Sequence, residues 1–440
     1  MERRRFLAGM VATAAAVPLS RSLVGGPAGA ATPAATGAAA GVASRTVASS
    51  GAWCWFGDPR AVHFVGQHAR TYVGCVTSAG QILIVQYDHR TGALTSSVVY
   101  TRSAGDTTVT VDDHCNPSIV IRPDRRVVVF WSGHAGPVMY YRRSAAPEDI
   151  SAWEPVKRVP VNSPGNTGYT YPNPVQLPAE PNKLYLFFRG GNFNPTFTTT
   201  SGGDVWTAAR TLVSVPGQRP YLKVASNGRN MLHFAFTDGH PRNVHTSIYY
   251  MYYYAGNLYR PGHQLIGPMG TPVTPAQATK VYDATGNPSG KAWIHDIAVG
   301  ADDRPVLTYA TFPTDTDHRY RYARWTGTQW FDRELCAAGD SISEDPAEPN
   351  YSGGITLDGD DPTVVLLSRQ VGAVNEIERW TTPDGGASWR TQAITSGSTQ
   401  TNVRPVSPRG LTGTGPLSVL WMAGRYPSYT RFQTRILGTA

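Results

Sequence analysis

The sequence predicts an all-β protein, a seven-bladed β-propeller of four-stranded antiparallel sheets. From residue 50 onward, short runs rich in β-branched and aromatic residues, such as QILIVQYD, RVVVFWSG and KLYLFFRGG, alternate with turn-forming residues. The chain contains 45 Gly and 34 Pro, which separate these runs. A turn-rich hairpin recurs at intervals of 53 to 71 residues, which suits one four-stranded sheet per repeat.

The first 45 residues are interpreted as a leader. Arg3 to Arg5, followed by Phe6 and Leu7, form a twin-arginine region that precedes a short Ala/Val/Leu stretch and an Ala/Gly-rich tract. The apolar stretch is much shorter than the roughly 20 residues that a bilayer requires, so we expect no membrane span. We expect residues 1–45 to be a Tat-type signal with a low-complexity segment, and residues 46–440 to be a single, secreted β-propeller catalytic domain.

Export would allow disulfides between the four cysteines, which are Cys54, Cys75, Cys115 and Cys336. Their irregular spacing matches no zinc-binding pattern. One or two bridges and buried free thiols are both compatible with the sequence.

The charge balance favours an anionic partner. Lys and Arg total 39 against 31 Asp and Glu, and the sequence pI is near 9.3. The basic residues are mostly arginines and are scattered, with no dense stripe interleaved with aromatics, so we expect no nucleic-acid partner. We expect the partner to be an acidic polysaccharide or oligosaccharide. We also expect the protein to be a monomer.

One hairpin carries a specific turn pattern. In TTPDGGASW, Thr382, Asp384, Gly386 and Trp389 fit S/T-x-D-x-G-x-x-W, the Asp box of sialidase-type propellers. Weaker copies of the hairpin are marked by the large residue that follows each turn. These residues are Leu94, Trp153, Trp206, Tyr259 and Trp330. Six blades are visible in this way.

The seventh blade is assembled from both ends of the chain. The C-terminal strands PLSVLWMAG and TRFQTRIL would pair with the N-terminal AVHFVGQ, which would close the ring and cover both sheet edges. Six or eight blades are the alternatives. Because propeller loops surround a central channel, residues far apart in sequence can meet at its mouth, and function has to be argued from those residues.

Several motifs resemble the BNR-4 type propeller proteins over nearly the whole mature chain. They include AWCWFGDPRAV, DDHCNPSIVIRPDRRVVVFWSGH, YTYPNPVQL, LYLFFRGGN and HFAFTDGHPR. That group includes ulvan lyases and rhamnose-glucuronate lyases, which cut rhamnose–uronate linkages. The resemblance implies a polysaccharide lyase that acts by β-elimination and leaves an unsaturated uronate.

Such a lyase requires three groups. A cation must neutralise the uronate carboxylate, and the planar donor fork of arginine suits this task. A base must remove the C5 proton, and an acid must protonate the departing O4, for which histidine and tyrosine are suited. No cofactor is needed for this chemistry. A structural Ca²⁺ or Zn²⁺ is compatible with the polar clusters, but no spacing identifies its ligands.

Two histidines lie twenty residues apart at the ends of neighbouring predicted strands. The resemblance implies that His114 is the base or part of the acid–base pair, with His134 binding or assisting. The alternative is a structural histidine that is hydrogen-bonded to Asp112 or Asp113.

The resemblance also implies a catalytic tyrosine in YTYPNP. Tyr171 is the predicted acid–base partner, and Tyr169, two positions away on the same strand face, is its substitute. The proline after Tyr171 predicts an extended backbone. The alternative for each tyrosine is packing in the core or at the rim.

Two arginines are candidates for binding the uronate carboxylate. Arg189 ends an apolar run and is followed by two glycines, and Arg219 occurs with Tyr221 one blade later in QRPYLK. The alternative for each arginine is an ion pair between blades.

The motif FTDGHPR places Asp238 and His240 at another strand end, where they could bind substrate or a cation. A hydrogen bond that stabilises the loop is the alternative for His240. For the whole protein, the alternatives are a sialidase-like glycoside hydrolase and a non-catalytic propeller that binds acidic glycans. The hydrolase is disfavoured because Glu is sparse in the candidate motifs.

Overall fold

Seven antiparallel sheets follow one another along the chain and form the predicted seven-bladed β-propeller. The computed structural model describes residues 41–102, 110–160, 162–165 and 168–440. The first strands of neighbouring blades contact one another and line the central channel. Within the described residues, no helix is long and apolar enough to cross a bilayer.

The strands are given blade by blade, from the channel outward. Blade 1 contains β2 (Ala61–Val65), β3 (Ala69–Val76), β4 (Gln81–Asp88) and β5 (Leu94–Thr101). Blade 2 contains β6 (Ser118–Ile121), β7 (Val127–Ser132), β8 (Met139–Ala146), β9 (Asp149–Trp153) and β10 (Lys157–Val159). Blade 3 contains β11 (Thr170–Gln176), β12 (Lys183–Arg189), β13 (Pro195–Ser201) and β14 (Arg210–Thr211). Blade 4 contains β15 (Leu222–Ser226), β16 (Met231–Thr237), β17 (Ile248–Tyr254), β18 (Asn257–Arg260) and β19 (Gln264–Pro268), with β20 (Thr279–Tyr282) also paired to β17.

The remaining blades are listed in the same way. Blade 5 contains β21 (Lys291–Val299), β22 (Pro305–Thr314), β23 (Asp317–Trp325) and β24 (Trp330–Gly339). Blade 6 contains β25 (Ile355–Leu357), β26 (Val364–Val371), β27 (Val374–Thr381) and β28 (Arg390–Ala393). Blade 7 contains β29 (Asn402–Val406), β30 (Leu420–Ser428), β31 (Arg431–Thr439) and β1 (Ser44–Ala48). Two short 3-10 helices span Asp113–Cys115 and Pro275–Gln277.

The strand that closes the ring differs from the predicted one. The segment AVHFVGQ supplies β2, the inner strand of blade 1, whereas β1 pairs antiparallel with β31 as the outer strand of blade 7. The outer position needs only one short strand with a single neighbour, so SRTVA suffices there. The amide of Val42 donates to the carbonyl of Ile394, so the propeller begins before the predicted boundary at residue 46. The predicted signal in residues 1–40 lies outside the described residues.

The turn before β28 shows why its sequence is specific. The hydroxyl of Thr382 donates to Asp384 Oδ1 at 2.9 Å, and the same oxygen accepts from the amide of Ser388 at 2.8 Å. Gly386 has φ +104°, and a Cβ there would lie 2.8 Å from the ring of Tyr322 in blade 5. Trp389 then packs edge-on against the same ring, with centroids 5.1 Å apart. The hairpin therefore fixes the contact between two blades.

All four cysteines are free thiols, so of the two alternatives that the sequence allowed, bridges or free thiols, the structure contains the second. Cys54, Cys75 and Cys115 are buried, and burial raises the pKa of the Cys75 and Cys115 thiols to about 12. These thiols are therefore packing groups rather than nucleophiles.

Charged side chains occupy the centre of the ring. Lys223 is fully buried, donates to the carbonyl oxygen of Trp55 at 2.5 Å and forms an ion pair with Asp58. Asp296 Oδ1 lies 3.8 Å from the same ammonium group. Burial alone would raise the pKa of Asp58, but Arg60 and Lys223 lower it below its ordinary value. The cluster connects blades 1, 4 and 5 around the channel.

Candidate active site

All nine predicted site residues lie at one end of blades 2, 3 and 4. The start of an inner strand and the end of its antiparallel neighbour are adjacent, so residues at these positions share one face of the ring. The residues are His114, His134, Tyr169, Tyr171, Arg189, Arg219, Tyr221, Asp238 and His240.

Asp112 brings the two histidines together. Its Oδ1 accepts from the backbone amide of His114 at 2.8 Å and lies 2.6 Å from His114 Nδ1. Its Oδ2 lies 2.9 Å from His134 Nδ1. The two imidazole rings stack in parallel, with centroids 3.9 Å apart and planes 5° apart. The predicted hydrogen bond to Asp112 and the predicted pairing of the histidines are thus both present.

The two imidazoles have opposite pKa shifts. Burial disfavours a charge on His114, but Asp112 and Asp113 outweigh it and raise the His114 pKa well above its ordinary value. Burial, and then the charge of His114, lower the pKa of His134 to about 4. At neutral pH His114 is therefore an imidazolium. His134 is neutral, and because its Nδ1 proton is assigned to the hydrogen bond with Asp112, its Nε2 can accept a proton.

A second carboxylate supports the charge on His114. Asp113 Oδ1 lies 3.0 Å from His114 Nδ1, and the other oxygen is paired with Arg404 and with the hydroxyl of Tyr426. Burial would raise the pKa of Asp113, but Arg404 and His114 lower it below its ordinary value. Arg404 is itself fully buried, with its guanidinium carbon 5.1 Å from the ring centroid of Trp55. Asp113 therefore stays ionised beside the imidazolium.

Tyr171 lies beside the histidine pair. It is 6% exposed, and its ring centroid is 5.6 Å from that of His114. Its φ is +61°, so the predicted extended backbone is wrong. The pairing of β11 with β12 is irregular between Thr170 and Asn173, and the side chain of Asn173 donates to the Tyr171 carbonyl at 2.9 Å, which holds the left-handed conformation. Burial raises the pKa of Tyr171 well above its ordinary value, so the phenol keeps its proton at neutral pH.

Tyr169 does not share a face with Tyr171. It is 1% exposed and stacks on Phe188 at 5.2 Å. Its hydroxyl donates to the Pro160 carbonyl at 3.3 Å and accepts from the Ser163 amide at 3.2 Å. The left-handed backbone at Tyr171 breaks the alternation on which the predicted shared face depended. Tyr169 therefore packs between strands, and the role predicted for it as a substitute acid is not supported by its position.

The two predicted arginines converge on Phe193. The guanidinium carbon of Arg189 lies 5.3 Å from the Phe193 ring centroid and 4.8 Å from that of Tyr171, and that of Arg219 lies 4.5 Å from Phe193. Arg189 donates to the hydroxyl of Thr170 at 3.0 Å, while its buried Nε has no partner. Within the described residues neither arginine forms the ion pair between blades that was the alternative. Both positive charges are available to an anionic ligand.

Tyr221 and His240 continue the site toward blade 5. The ring of Tyr221 lies 5.9 Å from Tyr171 and 5.4 Å from His240. Nδ1 of His240 accepts from the backbone amide of Arg242 at 3.0 Å, which is the predicted loop-stabilising hydrogen bond. Burial, followed by the charge of Arg242, lowers the pKa of His240 to about 3. His240 is therefore a neutral side chain next to the cationic centre.

Asp238 forms its hydrogen bonds within its own blade. Its Oδ1 accepts from the Ser247 amide at 3.0 Å, and its Oδ2 accepts from the Tyr249 hydroxyl at 3.1 Å. Both oxygens are thus used at the start of β17. The structure does not bring Asp238 together with the histidine pair.

Three residues of the site were missed by the sequence analysis. The hydroxyl of Tyr351 lies 3.4 Å from His114 Nε2. Tyr429 packs edge-on against His114 and His134, at centroid distances of 4.9 and 5.6 Å. Glu348 lies next to His240, with Oε2 3.9 Å from its Nε2. Tyr351 and Glu348 come from the loop that enters blade 6, and Tyr429 comes from the hairpin between β30 and β31 of blade 7. No local motif marks them.

The histidine pair also has the composition of a metal site. Within the described part of the chain, donor atoms of Asp112, His114 and His134 lie within 4.8 Å of one another. Imidazole and carboxylate ligands suit Zn²⁺. Both carboxylate oxygens already accept from imidazole N–H groups, so a metal ion bound there would have to displace those protons. We therefore describe the cluster as an acid–base system, and the structural Ca²⁺ or Zn²⁺ stays a prediction.

A large cavity lies at the opposite mouth of the channel, where the inner strands end. Its volume is about 580 Å³, and Asp58, Arg60 and Arg409 are among its lining residues. The cavity bordered by Tyr171, Arg189 and Tyr221 is much smaller, at about 10 Å³. None of the nine predicted site residues lines the larger cavity, so we place the candidate site by its chemistry rather than by cavity size.

Comparison with known families agrees with the fold. Residues 70–338 match the sequence model of the BNR_4 family, described as BNR repeat-containing family member. The chain belongs to this family. A search of the curated proteins gave no match.

Two solved structures superimpose on most of this BNR_4 chain. An ulvan lyase bound to -[GlcA(1-4)Rha3S]- has a TM-score of 0.66 at 15% identity, covering 89% of this chain and 94% of the lyase. The polysaccharide lyase Uly1 has a TM-score of 0.57 at 12% identity, covering 88% of this chain and 91% of the lyase. At these identities the likeness establishes the propeller fold.

Proposed function

We propose that this protein is a secreted polysaccharide lyase that cleaves rhamnose–uronic acid linkages in an acidic polysaccharide by β-elimination. The observation that carries the proposal is the convergence of His134, Tyr171 and Arg189 at one mouth of the ring. A neutral imidazole, a protonated phenol and an unpaired guanidinium are the three groups that the reaction requires. The likeness to ulvan lyases is consistent with this proposal.

Arg189 binds the uronate carboxylate in this proposal. Arg189 is 5% exposed and its guanidinium has no carboxylate partner among the described residues, so the substrate would supply the missing negative charge. A low-exposure site strengthens this pairing relative to water. Neutralising the carboxylate lowers the energy of the negative charge that develops at C5. Arg219, which is exposed at the rim, can hold the same or the next acidic sugar.

His134 accepts the C5 proton at Nε2, while Asp112 holds its Nδ1 proton. The electrons of the C5–H bond form the C4=C5 double bond, and the C4–O4 bond breaks. Tyr171 gives its proton to O4, and the imidazolium and phenolate then return to their starting states by proton exchange with solvent. The resemblance implied that His114 is the base or part of the acid–base pair, with His134 assisting. The carboxylates around His114 favour its charged form, so we assign the base role to His134.

The proposed reaction consumes no water and uses no cofactor. His114 acts as a fixed positive charge beside the reacting uronate, and it keeps His134 neutral. Secretion through the twin-arginine route and a monomeric state complete the proposal.

The test is incubation with ulvan, gum arabic arabinogalactan and related rhamnose–uronate polymers, followed by near-ultraviolet absorbance. We expect absorbance from an unsaturated uronate that is lost in His134→Ala and Tyr171→Phe. Reducing sugar without absorbance would indicate the alternative hydrolase. Retention on the polymer without either product would indicate a binding propeller.

A further inference from the structure

A carboxylate oxygen without a hydrogen-bond partner lies beside the proposed active site. Glu348 is 6% exposed and belongs to the loop between β24 and β25. Its Oε1 pairs with the guanidinium of Arg242, whereas its buried Oε2 has no partner within the described residues. Buried polar atoms nearly always have a partner, and leaving one unpaired is costly. The position of this oxygen therefore requires an explanation.

A hydrogen-bond donor faces this oxygen across a gap. Because Nδ1 of His240 accepts from the amide of Arg242, the neutral ring carries its proton on Nε2. Nε2 lies 3.9 Å from Glu348 Oε2, which is too long for a direct hydrogen bond. A donor and an acceptor are thus held opposite each other without being joined.

We propose that His240 and Glu348 bind one uncharged hydroxyl group of a sugar. The hydroxyl donates its hydrogen to Oε2 of Glu348 and accepts the Nε2 proton of His240, so a single group satisfies both partners. This inference rests on the proposed function and deepens it, because it assigns a substrate class to the site. The preferred chain carries a free hydroxyl at this position rather than a sulfate ester.

The hydroxyl site lies close to the reacting groups. The His240 ring packs against Trp293 at 4.7 Å and against Tyr221 at 5.4 Å. Tyr221 in turn lies 5.9 Å from Tyr171, the proposed acid. A sugar held by His240 and Glu348 is therefore adjacent to the linkage that Tyr171 protonates.

The negative charge of Glu348 allows the site to distinguish a hydroxyl group from a sulfate ester. Burial raises the pKa of Glu348 above its ordinary value, and the ion pair with the guanidinium of Arg242 limits this rise and favours the charged form. The hydroxyl of Ser341 donates to the Glu348 carbonyl at 3.1 Å, which restrains the loop. A sulfate ester placed against this weakly solvated carboxylate would be repelled, whereas a hydroxyl would be bound.

The experiment compares ulvan with chemically desulfated ulvan. We expect the wild-type protein to have the higher kcat/KM on the desulfated polymer. Glu348→Gln preserves the shape of the side chain but removes the charge, so we expect the preference to fall by about tenfold or more, as the loss of a charge-assisted hydrogen bond implies. Glu344→Gln is the matched control, because Glu344 lies on the same loop but is exposed and paired with Arg425. It should keep the wild-type preference.

The outcomes separate this inference from the proposed function. An active, folded Glu348→Gln variant with unchanged KM and unchanged preference would overturn the inference. If Glu348→Gln does not fold, His240→Gln removes the other half of the bridge and should weaken the same preference.

If the wild-type protein releases no unsaturated uronate, the proposed function fails, and binding to the two polymers then tests the hydroxyl site. Tighter wild-type binding to desulfated polymer that is lost in Glu348→Gln supports the site, and equal binding by both proteins refutes it.

Discussion

Asp112 is the residue on which both histidines of the site depend. Each of its oxygens holds one imidazole, and the rings stack 3.9 Å apart. Of the two imidazoles, Asp113 approaches only that of His114, so the positive charge lies on His114. Burial and this charge keep the His134 ring neutral. In the proposed mechanism, two chemically identical side chains thereby have different roles, a fixed charge and a base.

Removing either proton-transfer group should abolish most of the activity. We expect His134→Ala and Tyr171→Phe each to lower kcat by about 10²- to 10⁴-fold, because each loses one acid–base step. Tyr169→Phe is the matched control for Tyr171→Phe, since it deletes a hydroxyl that bonds only to backbone at Pro160 and Ser163. The measurement is the initial rate from near-ultraviolet absorbance. Similar losses of activity in both tyrosine variants would contradict the assignment of Tyr171 as the acid.

The pH dependence of kcat/KM should follow the histidine pair. Activity needs neutral His134 and charged His114, so we expect an acid limb near pH 4 and a decline on the alkaline side, above the ordinary histidine pKa. His114→Gln removes the positive charge that lowers the His134 pKa, so the acid limb should move to higher pH. His263→Gln, on the outer hairpin of blade 4, should leave the profile unchanged. An acid limb that stays in place in His114→Gln would refute the coupling.

The same titration affects stability. Because the folded-state pKa of His114 is raised, its stabilising contribution is complete below the unfolded-state value and is lost as the pH rises through the folded-state value. For Asp112 the folded-state pKa is lowered, so its contribution is present above the unfolded-state value and is lost in acid. The pair of Asp112 and His114 is therefore most stabilising at a pH between the unfolded-state pKa of aspartate and that of histidine.

At the scale of elements, the hairpin chemistry and the closure of the ring from both chain ends could be predicted, but the identity of the closing strand could not. The turn around Asp384 and Trp389 requires particular side chains at neighbouring positions, so it can be recognised in the sequence alone. The closing strand β1 has only five residues, and its identity depends on pairing with β31, almost four hundred residues away. Likewise, the sequence indicated that His114 and His134 share one blade, but only the closed ring brings Tyr351 to His114 and Glu348 to His240.

Deleting β1 should destabilise the propeller. A chain lacking residues 1–48 leaves the edge of β31 unpaired, so we expect a thermal midpoint several degrees lower and a greater tendency to aggregate. A chain lacking residues 1–40 keeps β1 and is the control. Equal midpoints for the two truncated proteins, measured by circular dichroism, would contradict the assignment of β1 as the closing strand.

At the scale of the whole molecule, charged groups connect the blades around the channel. Lys223 from blade 4 bonds to the segment before blade 1 through Trp55 and Asp58, and it approaches Asp296 of blade 5. These contacts lie in the interior, where an ion left without its partner is costly. The channel is therefore held by electrostatics as well as by apolar packing.

Removing the central ammonium group should weaken the entire ring. We expect Lys223→Met to lower the free energy of unfolding by about 3–5 kcal/mol, because Asp58 and Asp296 lose their shared cation. Lys280→Met, which breaks an exposed pair with Asp283, should have a much smaller effect, because water screens that pair. Denaturant unfolding of both variants provides the measurement, and equal losses would show that the buried cluster is not stabilising.

The most direct test of the central claim is the mass of the product formed in heavy-oxygen water. Elimination by His134, Tyr171 and Arg189 predicts an unsaturated uronate end that is lighter than a hydrolysis product by one water, with no heavy oxygen incorporated. Fragments with a saturated uronate end, and with the mass of one added water for each cleavage, would show that water attacks the linkage, and they would contradict the lyase account.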